Sequence, residues 1–423
     1  MMENINEIPK DEGIDHSFAL LKEGYEYILN RRKNFQSNIF ETRILGRKAI
    51  CIGGKEAAQL FYDDTKFERQ DAAPNRVIET LFGKNAVQTL DGKAHLHRKR
   101  MFLDIMSKEK INEFLDIVKI EWEKALDEWS RKSEIVFYEE VKALLCKASF
   151  KWIGYPVHED NAERLMNELG AMFETPVAFG PQHWMGRMKR NQMEKKMTEL
   201  VERIRSGEVQ VQPDSILHQF VFYKEMDGNL LDAETAAVEI INVLRPVVAI
   251  SIYINFIVMA LAQFPHERAK LKQHPDYAIL FVQEVRRFYP FFPFVLAKVK
   301  KDFTWNNFVF QKGTLVLLDI YGTNHDPDLW EHPDEFRPER FANWQDDHFS
   351  LIPQGGGISE TTHRCPGEKL TIEMMKFALD YLLNKMDYEV PEQDMYIAMN
   401  TIPSIPKSKV VLTNVKRVRE SLH

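Results

Sequence analysis

The chain has 423 residues, 44% hydrophobic and 28% charged, an ordinary globular composition with material for a large core. Its net charge of −7 speaks against the clustered positive surface that nucleic-acid binding needs. Its three cysteines are too few for a disulfide framework, and its even, linker-free composition gives one expected domain over residues 1–423.

Residues 1–15 are polar and acidic and lack the apolar core of an export signal, so a cytoplasmic location is expected. A helix is predicted over residues 17–30, followed by a strand pair over 40–52 turned at Gly46-Arg47. Helical patterns then dominate to about residue 290, separated by Gly154-Tyr155-Pro156 and Phe179-Gly180-Pro181. Within this stretch, a helix over residues 232–264 would be roughly 50 Å long at 1.5 Å per residue. Its most apolar run, 247–262, is shorter than the roughly 20 residues of a membrane span and is interrupted by Ser251 and Asn255. A buried helix is expected there, with no membrane contact. A short β region follows over 297–310 and 314–320, turned at Gln311-Lys312-Gly313. A helix over about 368–386 and a terminal hairpin broken by Pro403 and Pro406 complete the chain. The expected fold is mainly α with small β-sheets.

Three strings carry polar chemistry. Asp91-Gly92-Lys93-Ala94-His95-Leu96-His97-Arg98-Lys99 places His95 and Lys99 at i and i+4 of a helix, where both can reach one anion. Glu284-Val285-Arg286-Arg287, on a helix ending before Pro290, places Glu284 and Arg287 on one face, and Pro338-Glu339-Arg340-Phe341 follows later. Last comes a glycine loop, Gln354-Gly355-Gly356-Gly357, then Ile358 to His363, and Arg364-Cys365-Pro366-Gly367-Glu368 at a helix start. Backbone N–H groups and the helix dipole there would stabilise a thiolate, and Gly367 lets the backbone approach a flat ligand. Read singly, these strings also fit a solvated basic face, a surface ion pair and a buried structural cysteine.

In this order the strings resemble the cytochrome P450 superfamily and its haem-thiolate fold. The resemblance implies haem b with Cys365 as the axial ligand, and an interlocked Glu284, Arg287 and Arg340 holding the cysteine loop. It implies that His95 and Lys99 bind the haem propionates, joined by Arg69 and His363. Two departures stand out: extra residues separate the glycines from Cys365, and His363 occupies the usual arginine position.

The long helix carries a larger departure. Oxygen-activating members of the superfamily have an acid followed by a threonine at its middle. Here the middle reads Glu239-Ile240-Ile241-Asn242-Val243-Leu244-Arg245-Pro246-Val247-Val248, and Thr235 lies well before it. Arg245 is the one charge between Glu239 and Glu267, and a buried guanidinium needs a partner, which must come from another segment, a haem propionate or a bound substrate. Its planar fork suits a carboxylate. Pro246 removes a helical N–H, which marks a working site or a plain kink.

Arg245-Pro246 is similar to the bacterial fatty-acid peroxygenase branch of the superfamily. That resemblance implies that Arg245 grips the carboxylate of a long-chain fatty acid and that hydrogen peroxide is the oxidant, with no redox partner. The carboxylate then supplies acid-base function, and hydroxylation falls on the α or β carbon. Gln88 lies where this branch carries glutamine or histidine, glutamine being associated with hydroxylation and histidine with decarboxylation to terminal alkenes. Val77, Leu81, Phe82, Phe173, Phe291 and Phe294 are expected to line the acyl channel, which Phe292 alters where smaller residues can occur. The competing expectations are decarboxylation, a monooxygenase fed by redox partners, and a non-enzymatic haem sensor.

Overall fold

The computed structural model describes residues 7–155, 159–175 and 180–418; Pro156 and Phe179 of the two expected turns lie outside the described residues. Helices dominate, with small sheets near both ends and in the middle, as the sequence predicts.

The helix predicted over 232–264 spans Ala233–Gln263. Asp232 caps it, its carboxylate accepting the Thr235 N–H at 2.8 Å. Every residue from Thr235 to Leu261 is buried except Pro246, which is half-exposed. The helix is long and apolar enough to cross a bilayer, yet protein covers it: Phe137–Ile153, Glu159–Glu174, Pro181–Arg205 and Glu368–Asp380 all pack along it. It runs through Pro246 without a break. An interior proline costs about 3 kcal/mol, and burial of Val243, Leu244, Val247 and Val248 offsets this at about 1.5–3 kcal/mol each.

The predicted strand pair is Ile39–Ile44 with Arg47–Ile52, antiparallel, Ile39 opposite Ile52. It joins a five-stranded sheet in which Arg47–Ile52 runs parallel to Leu315–Asp319, followed by Phe294–Val299 and Phe67–Glu68. The β run predicted over 297–310 is in fact split. Phe303–Trp305 and Phe308–Phe310 form a separate hairpin, because Asn306 and Asn307 (φ 48° and 64°) adopt the left-handed pair that a tight hairpin turn requires.

Two predicted helices also divide. Residues 17–30 become Ser17–Glu23, a 3-10 turn Gly24–Glu26, and Tyr27–Phe35. Gly24 (φ 57°) breaks the helix where the chain meets the C-terminal region: a Cβ there would lie 2.0 Å from Met399 O, and Tyr25 N–H donates to that oxygen at 2.9 Å. The helix after the cysteine is α-helical over Glu368–Asp380, loosens into a π turn at Tyr381–Lys385, and gives way to the strand Met386–Glu389. That strand pairs antiparallel with Val411–Arg417, which also pairs with Glu134–Val136. Pro403 and Pro406 lie in the long connection between the two terminal strands.

Candidate active site

Cys365 stands just before the N-terminus of Glu368–Asp380, at the positive end of that helix. Its N–H donates to Gln354 O at 3.0 Å, which ties the cysteine to the glycine loop. Burial pushes the thiol up, while the Gly367 N–H, Lys99 and Arg286 pull it down. The extra residues close on themselves: Thr361 and Thr362 N–H donate to Ile358 O at 3.1 and 2.9 Å, and the Thr362 hydroxyl to Gly356 O at 3.0 Å. The insertion folds as its own turn, and the glycine loop still reaches the cysteine.

Beneath the loop, Arg287 grips Glu284 with two parallel hydrogen bonds of 2.7 Å, both side chains being fully buried. Arg340 adds a contact of 3.2 Å, so the expected three-way interlock is present. Among the described residues, none of its hydrogen bonds goes to the glycines or the cysteine themselves. Arg287 donates to Asn324 O at 3.0 Å, and the Asn324 side chain accepts the Ile352 N–H at 3.0 Å at the start of the loop. Direct contact comes from Arg286, which sequence reasoning passed over: it bonds Glu368 and, at 3.1 Å, Gln354 Oε1. Glu368 is shared with Arg364, whose Nε donates at 2.6 Å. Glu368, at the start of the helix after the cysteine, was the available signal. An Arg287→Ala variant would leave the buried Glu284 carboxylate with only Arg340 and the Arg337 N–H among the described residues, and breaking such a pair costs about 3–5 kcal/mol. Denaturant melts of wild type and variant should show a loss of that order.

Arg69, His95, Lys99 and His363 come together beside the loop. The imidazoles of His95 and His363 stack at 3.8 Å, and His363 Nε2 lies 2.9 Å from Leu90 O. Lys99 Nζ donates to the carbonyls of Thr362 and Arg364, the latter at 2.7 Å. Arg69 lies over the Phe61 ring at 4.3 Å. Burial, with Lys99 and Arg69 adding repulsion, pulls His95 down to about 4; burial also brings Lys99 to about 8 and lowers Arg69 and His363. Among the described residues no carboxylate forms an ion pair with any of the four. Two buried cations, Arg69 and Lys99, beside two imidazoles whose protonation an anion would favour, would suit the two propionates of a haem bound by Cys365.

Above, the central helix presents Arg245. It is 6% exposed and its Nε has no hydrogen-bond partner; its polar contact is Nη2 to Asn242 Oδ1 at 3.4 Å. Burial, reinforced by Arg190, pulls it down to about 9, with Cys365 acting the other way. Pro246, the next residue, is half-exposed in an otherwise buried stretch of helix. Gln88 sits on the 3-10 turn Val87–Thr89, its Oε1 3.4 Å from Asn242 Nδ2. One asparagine thus bridges Gln88 and Arg245. Sequence reasoning missed it, although Glu239, Asn242 and Arg245 form a polar stripe at three-residue spacing.

Val77, Leu81, Phe82 and Phe173 share the hydrophobic cluster containing Val243, Leu244, Val247 and Val248. Phe291 packs against it, stacked on Tyr253 at 4.4 Å, with the 38%-exposed Phe292 at its edge. Phe294 packs instead with Tyr27, Ile28 and Phe40. Arg190, also missed, is fully buried and donates to Leu81 O and Phe82 O at 3.0 Å each. It fixes the π turn Ile78–Phe82 that carries two of the expected lining residues.

A cysteine at a helix start behind a glycine loop, a carboxylate-free seat suited to propionates and a long buried helix packed on the cysteine's helix belong to the class of haem-thiolate oxidoreductases. Comparison with known proteins agrees. The family model "Cytochrome P450" matches residues 268–413. The solved structure of cytochrome P450EX alpha (CYP152N1) with myristic acid is 44% identical, at a TM-score of 0.95 over 98% of this chain and 100% of that one. A variant of cytochrome P450 OleT in complex with arachidonic acid is 34% identical, with a TM-score of 0.95 over 98% of this chain and 100% of that one. (+)-Menthofuran synthase of Mentha piperita is 32% identical over 29% of this chain, which spans 22% of that relative's length. The chain belongs to the cytochrome P450 family, and within it to the CYP152 branch.

Proposed function

We propose that the protein is a hydrogen-peroxide-dependent hydroxylase of long-chain fatty acids, acting at the α or β carbon without a redox partner. The observation that carries this reading is Arg245, a buried guanidinium that pairs with no carboxylate among the described residues, in the helix where an acid-threonine pair is missing. The carboxylate it lacks is the substrate's. Held there by a charge-assisted, two-pronged contact, the acid end of the fatty acid stands nearest the iron, and the acyl tail extends among Leu81, Phe82 and Phe173. When bound, the haem supplies peroxide cleavage and oxidation of a C–H bond. The net reaction takes fatty acid and hydrogen peroxide to hydroxy acid and water.

The chain's own groups do the positioning. Arg245 keeps the substrate carboxylate ionised, so that its oxygen can take a proton from peroxide and return it, the function that an acid-threonine pair would otherwise serve. Fixing the carboxylate fixes which carbons lie within reach, and orientation of this kind is worth several kcal/mol. Gln88 can hydrogen-bond to the carboxylate or a water but cannot titrate, which favours hydroxylation over loss of carbon dioxide. The neighbours solved with myristic and arachidonic acid support the substrate class.

The substrate's carboxylate is the testable element. A fatty-acid methyl ester should be a poor substrate with peroxide. A carboxylic acid too short to fill the channel should allow the wild-type protein to oxidise a neutral aromatic ether, read by product mass spectrometry. Efficient turnover of the ester with no acid present would contradict the reading.

A further inference from the structure

We propose that Glu239 is a positioning residue that sets the placement of Gln88 relative to Arg245, and so selects which carbon of a bound fatty acid is oxidised; this rests on the reading of Arg245 given above. Glu239 is fully buried on the central helix, six residues before Arg245. Its Oε1 accepts the Val87 N–H at 2.8 Å and Arg98 Nη1 at 3.1 Å, and its Oε2 accepts Asn242 Nδ2 at 3.2 Å. Each contact governs a different part of the site.

Val87 begins the short turn that carries Gln88. Arg98 also donates to Asn85 O at 3.3 Å, so the Arg98–Glu239 pair holds the segment on both sides of Ala86. The turn's own bonds run from Thr89 N–H and hydroxyl to Ala86 O and from Leu90 N–H to Val87 O, and the Arg98–Glu239 pair anchors it to the central helix. The contact with Asn242 acts on the other partner. With its NH2 group on Glu239 Oε2, Asn242 directs that same group to Phe82 O at 3.0 Å and Gln88 Oε1 at 3.4 Å, and its Oδ1 to Arg245 Nη2. A flipped amide would point its NH2 at the guanidinium and its oxygen at three acceptors. The carboxylate acts with Phe82 O and the Arg245 guanidinium to fix the orientation of the asparagine that separates Gln88 from Arg245, and it alone of the three also holds the Gln88 turn. A buried ion pair adds little net stability over apolar packing of the same volume. Its contribution here is geometric.

Glu239→Gln and Glu239→Ala, each made in the full-length haem-loaded protein, test this. Glutamine keeps one acceptor for Val87 and Arg98 but turns an NH2 toward Asn242; alanine removes every contact. Both variants should retain haem and the thiolate-type spectrum of the reduced carbonyl complex. The ratio of α- to β-hydroxy product should change in each, and kcat/KM should fall roughly 10- to 100-fold, the scale of a misplacement near 1 Å. Calorimetric affinity for the fatty acid should weaken, and amide hydrogen exchange at Val87 and Gln88 should quicken in the alanine variant. Wild-type product ratio, affinity and exchange in two haem-loaded variants would overturn the proposal, as would failure of both to fold, which would make Glu239 purely structural. Wild-type protein that oxidises no fatty acid with peroxide would count against the proposed reaction instead, and affinity and exchange would still report on Glu239.

Discussion

An Arg245→Ala variant is expected to keep its haem and its fold but to lose most fatty-acid turnover. Removing one partner of a desolvated charge pair costs about 2–5 kcal/mol, which corresponds to a fall in kcat/KM of roughly 30- to 5,000-fold. The pair in question forms only with substrate, and this makes the variant's stability informative. Among the described residues of the ligand-free protein, Arg245 has no carboxylate partner, an unpaired Nε and a second guanidinium, Arg190, close enough to disfavour its charge. Burying a charge in that state is a cost, so its removal should leave the melting temperature of the ligand-free protein unchanged or raised. Arg287→Ala should do the opposite, since Arg287 is held by a fully buried carboxylate. Saturating fatty acid should raise the melting temperature of the wild type and much less that of Arg245→Ala. Equal turnover in the variant, or a ligand-free protein destabilised as strongly as Arg287→Ala, would mean that Arg245 serves structure.

Replacing Cys365 with serine should abolish the thiolate-type spectrum of the reduced carbonyl complex and peroxide-driven turnover together. The other two cysteines supply the control. Cys51 is wholly buried in the strand Arg47–Ile52, and burial holds its thiol well up; Cys146 is buried within Phe137–Ile153 and is pushed up to about 12. Neither sits at a helix start, and only Cys365 has Gly367 N–H, Lys99 and Arg286 favouring the thiolate. Cys51→Ser and Cys146→Ser should both keep the spectrum. A normal thiolate spectrum in Cys365→Ser would remove the basis of the assignment.

The central helix was legible in the sequence because its signals are local: an aspartate cap, a long apolar run and a lone charge beside a proline. The cysteine loop was legible because glycines, cysteine and helix start follow one another directly. What escaped notice depends on contacts between distant segments. Arg286 differs from Arg287 only in the face it presents, and no local rule shows that it reaches Glu368 across the fold. The break at Gly24 is imposed by Met399, far along the chain. Glu239 entered the sequence reading only as one bound of the stretch in which Arg245 is the single charge, and only the structure brings Val87 and Arg98 to it. Phe294 read as one more aromatic near the site; its place in the sheet turns it toward Tyr27 and Phe40.

The source of the inserted oxygen tests the central claim most directly. Pure haem-loaded protein, a saturated long-chain fatty acid and oxygen-18 hydrogen peroxide should be mixed in unlabelled water and air, without reductase or nicotinamide cofactor. The account expects α- or β-hydroxy acid whose new hydroxyl carries the label. Unlabelled hydroxyl, or product formed only when a reductase system is added, would contradict it.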